Sequence, residues 1–153
     1  MTPIKRILVA VDFSECSWLA LARADELAKA LGAKLHLLHV WQAPAFVSPE
    51  AMVGVTPREQ TLAQLVHREA EKLLESFVQR ARDAGIGVES ARVADGDPAR
   101  TIVEEADKGD YDLIAIGTHG RTGLSHLLLG SVAEKVVRKA SRPVISVREK
   151  TPG

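Results

Sequence analysis

The chain has 153 residues, enough for one domain with a real core, and its 46% hydrophobic and 26% charged residues are the balance of a globular protein. Lysine plus arginine number 20 and aspartate plus glutamate also 20, so there is no basic excess with which to grip a polynucleotide. The single cysteine, Cys16, rules out an intramolecular disulfide.

The first apolar run covers 7–11 and stops at Asp12. Five residues are too few for a signal-peptide core or a membrane span, so the expected compartment is the cytoplasm, with no membrane partner. Further runs follow at 35–41, 86–93, 113–116 and 144–147. Several are almost continuously apolar and rich in Val and Ile, as strands covered on both faces are.

Helical period fills the intervals. Cys16, Ala20, Ala24, Leu27 and Leu31 share one face of a first helix, which Gly32 terminates. Ser14 is its expected cap. A second, longer helix carries Leu62, Val66, Ala70, Leu73, Phe77, Ala81 and Ala84, with Gly85 at its end. A third opens at Asp97-Pro98, an N-cap followed by proline at the first helical position, shows Ala99, Ile102, Val103 and Ala106, and stops near Gly109. A fourth begins at Ser131 with Ala133, Val136, Val137 and Ala140, and Ser141-Arg142-Pro143 breaks it. Strands thus alternate with helices throughout. That order predicts a single α/β domain over 1–153, an open five-stranded parallel sheet with helices on both faces. The one long irregular stretch is 42–57, punctuated by Pro44, Pro49, Gly54 and Pro57. A loop of that length tends to be a lid, a binding loop or an interface.

Chemistry concentrates after the fourth strand. Ile116-Gly117-Thr118-His119-Gly120-Arg121-Thr122-Gly123 leaves the strand, and Leu127-Leu128-Leu129-Gly130-Ser131 enters the last helix. Glycines let backbone approach an anion without a Cβ in the way, and a helix N-terminus offers free N–H groups with a favourable dipole. Arg121 adds a cation and Ser131 a hydroxyl. The competing reading makes these glycines simple turns and Ser131 a cap, since Ser131-Val132-Ala133-Glu134 matches the capping box. Neither a GxxxxGK[ST] loop nor a GxGxxG after the first strand occurs. In an open parallel sheet, ligands bind beyond the strand carboxyl ends where the winding reverses. If the first and fourth strands are neighbours, Asp12 and Gly117 flank that crevice, where Asp12 would be able to accept from ribose hydroxyls; on pattern alone the plainer reading, a solvated residue leading into the first helix, is favoured.

Together, Ile7-Leu8-Val9-Ala10-Val11-Asp12-Phe13-Ser14, Leu37-Leu38-His39-Val40, the GxxGx9G[ST] pattern over 117–131 and Arg142-Pro143-Val144-Ile145-Ser146-Val147 resemble the universal stress protein family in its ATP-binding subgroup, over essentially the whole sequence. The resemblance implies a flavodoxin-like sheet, akin to the adenine nucleotide alpha hydrolases, in the order 3-2-1-4-5 with ATP at its switch point. It implies Ala10 and Asp12 beside the nucleoside, with Asp12 on the ribose, and Val40 backbone at the adenine edge. Gly117, His119, Gly120, Arg121, Gly130, Ser131 and Val132 would surround the phosphates, and Mg or Mn would be held mainly by phosphate oxygens. AMP or another adenine nucleotide is an alternative occupant. Ala133 departs from relatives that carry threonine there, which removes one hydroxyl contact. In this order 144–147 is a sheet edge, apolar at nearly every position, so a homodimer through Val144, Ile145, Ser146 and Val147 across a two-fold axis is expected.

The other candidates are weaker. His36 and His39 are an odd number apart and point to opposite faces of their strand. His67 is remote in sequence from the loop. A zinc site of His119 with His126 lacks a third ligand. Cys16 lies on a core stripe, and Trp41 at a strand end is a packing residue. No nucleophile–base motif appears, so no catalytic residue is assigned, and Asp12 or His119 would at most assist slow ATP hydrolysis. Three functions remain open: a nucleotide-dependent regulatory or protective module, a phosphohydrolase or nucleotidyl transferase, and a dimeric adaptor without nucleotide.

Overall fold

In the computed structural model, which describes residues 2–45, 48–53, 60–119 and 129–149, the elements run in chain order β1 (Arg6–Ala10), α1 (Glu15–Leu31), β2 (Lys34–Trp41), β3 (Met52–Val53), β4 (Gln60–Thr61), α2 (Leu62–Asp83), β5 (Val88–Asp95), α3 (Pro98–Lys108), β6 (Leu113–Gly117), α4 (Ser131–Lys139) and β7 (Val144–Val147). Five of the strands form one parallel sheet in the order β5-β2-β1-β6-β7, the expected 3-2-1-4-5 arrangement. β1 and β6 are buried along nearly their whole length, which is why their sequences read as unbroken apolar runs.

Alternation along the strands divides the core into two layers. Ile7, Val9, Leu35 and Leu37 face α1 and α2, against Leu21, Ala24, Leu74 and Phe77. Leu8, Ala10, Leu38, Ile114 and Ile116 face the other way, against Ile102, Ala106, Ala133 and Val136 of α3 and α4. Each large side chain fully buried here contributes about 2 kcal/mol of transfer free energy. At the amino end of the sheet the Asp112 carboxylate accepts the N–H groups of Lys5 and Arg6 at 2.8 and 2.9 Å, which register β1 beside β6 and hold the acid below the usual carboxylate range.

Four details differ from the sequence expectation. Within the stretch read as irregular, β3 pairs antiparallel with β4 through Met52↔Thr61 and Val53↔Gln60; a ladder of two rungs is too short to leave a periodic trace. β5 begins at Val88 rather than at Ile86, because the Ile86 N–H bonds the Ala81 carbonyl and closes the end of α2, with Gly85 left-handed at φ 80°. In α2 the buried residue is Leu74, whereas Leu73 is 45% exposed and Ala84 is exposed at the cap. Leu31 and Val137, both assigned to apolar faces, are likewise exposed. Spacings of three and four admit residues at both margins of a stripe, and the line of contact with the sheet decides which margin is covered.

Candidate functional site

β1 ends between two neighbours, Ala10 pairing with Leu38 on one side and Ile116 on the other. The chain then steps away to β2 and β5 on one flank and returns to β6 and β7 on the other, so a crevice opens beyond the ends of β1 and β6. At this point Phe13 is left-handed, with φ 67°. For a bulky L-residue that conformation costs about 1–2 kcal/mol and persists only where its surroundings hold it. The turn leads into α1, whose N-cap is Ser14 as expected. The Ser14 hydroxyl accepts the Ser17 N–H at 3.1 Å and donates to Asp12 Oδ1 at 2.5 Å, while the Ser14 N–H donates to the same oxygen at 3.0 Å. One oxygen of Asp12 is therefore committed to the turn.

On the facing side, Thr118 is buried and links three segments. Its N–H donates to the Val147 carbonyl at 2.9 Å, its carbonyl accepts the Gly130 N–H at 2.5 Å, and its hydroxyl lies 2.9 Å from His119 Nδ1. α4 then starts, but not with the capping box read from the sequence. Gly130 holds the extended cap conformation (φ −56°, ψ 149°), its carbonyl accepts the Glu134 N–H, and among the described residues no side chain caps the helix. Ser131 is already the first helical residue and is exposed, so its hydroxyl is not consumed by capping. A first-turn serine and a capping serine look identical in sequence, and only the backbone angles separate them.

Gly117 and Gly130 have a packing reason to be glycine in addition to any approach to an anion. A Cβ on Gly130 would sit 2.4 Å from the Thr118 carbonyl oxygen, and one on Gly117 would sit 2.8 Å from the Cys16 carbonyl carbon. Protein backbone, not ligand, already occupies the space that a side chain would need.

The crevice is a cavity of about 210 Å³. Ala10, Asp12, Val40, Gly117, His119, Gly130, Ser131 and Val132 all line it; Gly120 and Arg121, the other two residues assigned to it, lie outside the described residues. Sequence reading missed Leu38, Thr118, Pro98 and Ile102, which line it together with Val11, Ser17, Ile116 and Ala133. Leu38 was recoverable, since it shares the strand face of Val40 at a spacing of two. Pro98 and Ile102 belong to α3, and nothing local in sequence places that helix end over β1. The lining is apolar toward Leu38, Val40, Ile102 and Ile116, and polar where Asp12, Thr118, His119 and the first turn of α4 meet. The uncapped N–H groups and dipole of α4 make that polar end favourable for an anion.

The remaining histidines stand apart. His36 is buried on the α3 side of β2, with Nδ1 2.7 Å from Ser90 Oγ, whereas His39 on the opposite face meets the Val11 carbonyl through Nδ1 at 2.8 Å. His67 bonds Asp95 at 3.0 Å, which raises its pKa, with Glu71 close by. His126 is outside the described residues, and among those described no cluster of three metal-ligating side chains occurs. Cys16 is buried and donates to the Val147 carbonyl at 3.2 Å, a packing role.

Residues 3–148 match the universal stress protein family. The chain belongs to that family. It is 35% identical over 147 residues to the universal stress protein YxiE of Bacillus subtilis, covering 94% of this chain and 98% of that protein. It is 33% identical over 145 residues to the universal stress protein MJ0531 of Methanocaldococcus jannaschii, covering 95% and 82%. Among solved structures, the universal stress protein UspA from Lactobacillus plantarum superposes with a TM-score of 0.77 at 26% identity, over 97% of this chain and all of that one. Two similar structures carry nucleotides. The universal stress protein from Archaeoglobus fulgidus in complex with dAMP has a TM-score of 0.64 at 27% identity, over 95% and 99% of the chains. A universal stress protein in complex with cAMP has a TM-score of 0.69 at 25% identity, over 96% and 98%. Among the described residues no helix is long and apolar enough to cross a membrane.

Proposed function

We propose that the cavity binds an adenine nucleotide, with ATP as the leading occupant and AMP or another adenine nucleotide as the alternative, and that the chain acts as a nucleotide-dependent regulatory or protective module in the stress response. The observation that carries this reading is the juxtaposition, across the β1–β6 crevice, of the Asp12 carboxylate with the uncapped first turn of α4. An apolar slot, a carboxylate and a helix N-terminus suit in turn a base, a sugar hydroxyl and a phosphate. The relatives bound to dAMP and cAMP support the same class of ligand.

In this reading the α4 amides at Ser131 and Val132, together with Gly120 and Arg121, receive the phosphates, and Mg or Mn rides on phosphate oxygens. His119, hydrogen-bonded to Thr118, faces the phosphate end. We further propose that 1–153 is one domain, that the protein works in the cytoplasm, and that it forms a homodimer through β7.

Calorimetric titration with ATP, ADP and AMP, alongside mass spectrometry of whatever small molecule co-purifies, tests the assignment. Asp12→Ala is expected to weaken ATP binding roughly tenfold or more, the value of a hydrogen bond to a charged group. Undetectable binding of all three nucleotides at millimolar concentration refutes the reading. Steady phosphate release well above background, abolished by His119→Ala, would instead favour the phosphohydrolase alternative.

A further inference from the structure

We infer that His39, on the strand beside β1, is a positioning residue that sets the site's selectivity for ribose over deoxyribose; this rests on the reading of Asp12 as the ribose acceptor. Its ring is not part of the cavity lining, and it reaches the site through the turn that carries Asp12. Nδ1–H donates to the Val11 carbonyl at 2.8 Å, just past the last β1 rung, and the ring packs on Phe13 with centroids 4.4 Å apart and planes tilted by 32°. Phe13 is the residue with φ 67°, and its ring also meets Phe77 edge-on at 5.9 Å. His39 therefore grips both neighbours of Asp12, the carbonyl before it and the side chain after it.

The consequence concerns the carboxylate. Asp12 Oδ1 already accepts two hydrogen bonds from Ser14, so the turn leaves Oδ2 to a ligand and fixes where that single oxygen stands. A sugar hydroxyl must find an acceptor within a few tenths of an ångström of hydrogen-bond distance, whereas base packing and phosphate contacts tolerate more displacement. Loosening the Phe13 turn should thus affect hydroxyl recognition first. The left-handed angle makes loosening the default, since a phenylalanine freed from its contacts relaxes to negative φ.

The test compares affinities for ATP, 2′-deoxy-ATP and 3′-deoxy-ATP in the unaltered chain, in Asp12→Ala and in two variants at residue 39. His39→Phe keeps a ring on Phe13 and removes the N–H to Val11; His39→Ala removes both. The unaltered chain is expected to favour ATP over at least one deoxy analogue by roughly tenfold or more. In His39→Ala that preference should fall to within about twofold while affinity for the disfavoured analogue stays unchanged, the pattern also expected of Asp12→Ala; His39→Phe should lie between. A uniform loss for all three nucleotides, or an unchanged preference in folded His39→Ala and His39→Phe, overturns the assignment while leaving the nucleotide reading intact. No binding of any of the three by the unaltered chain overturns both.

Discussion

Single atoms decide much of this site. Asp12 lines the cavity with one carboxylate oxygen held by Ser14, and Gly130 is a glycine because Thr118 leaves no room for a Cβ. Gly130→Ala should therefore lower unfolding stability by about 1–3 kcal/mol in chemical denaturation, with or without nucleotide, because it forces backbone apart. Any loss of ATP binding in such a variant reports distortion, so Asp12 is the better probe of the site. His36 offers an independent test by pH. Burial, helped by the Arg6 charge, holds its imidazole below the ordinary 6.5, and its Nε2 has no partner among the described residues. The unfolded chain then takes up the proton more readily than the folded one, so stability is lost as pH falls below 6.5 and levels off below the folded pKa. His36→Phe should flatten that acid limb in denaturation curves recorded across the range.

At the scale of elements, the three capped helices and the uncapped one differ in a measurable way. Ser14, Thr61 and Asp97 each accept an N–H of the first turn of α1, α2 and α3, whereas α4 has no side-chain cap among the described residues. Ser14→Ala and Thr61→Ala should each cost about 1 kcal/mol of stability. Ser131→Ala should cost less than about 0.5 kcal/mol, as an exposed first-turn position does. A cost for Ser131→Ala equal to the other two would show that the serine caps α4 after all. The first turn of α4 lies on the cavity, where an anion is a natural partner for its amides.

At the scale of the molecule, β7 is a sheet edge whose neighbouring strand among the described residues is β6, and its Val144, Ile145 and Val147 are half-buried while Ser146 is exposed. Val137 of α4, 48% exposed, lies on the helix that packs on this strand. Pairing β7 across a two-fold axis would satisfy the edge. Light scattering at micromolar concentration should give twice the chain mass, and a charged substitution such as Ile145→Lys should shift it to the monomer; a monomer in the unaltered chain removes the dimer from the reading. The same strand end also receives the Thr118 N–H and the Cys16 thiol, so the edge, the cavity residue Thr118 and α1 share one carbonyl, that of Val147.

Much of the fold was legible without coordinates because it is written in short-range terms. Unbroken Val- and Ile-rich runs marked the buried strands, Gly32 and Asp97-Pro98 marked helix ends, and their alternation left a parallel sheet as the natural solution. The loop from Gly117 to Ser131 and its neighbour Asp12 were likewise visible as residue types suited to phosphate and sugar. Only the tertiary structure decided which margin of α2 is buried, that Gly130 and not Ser131 begins α4, and that Pro98 and Ile102 join the cavity from α3. It also decided the part played by His39, whose neighbours Val11 and Phe13 lie on another strand and its turn. Periodicity and caps are properties of a few consecutive residues, while a shared carbonyl or a blocked Cβ depends on chain segments brought together from far apart in sequence, which no local pattern encodes.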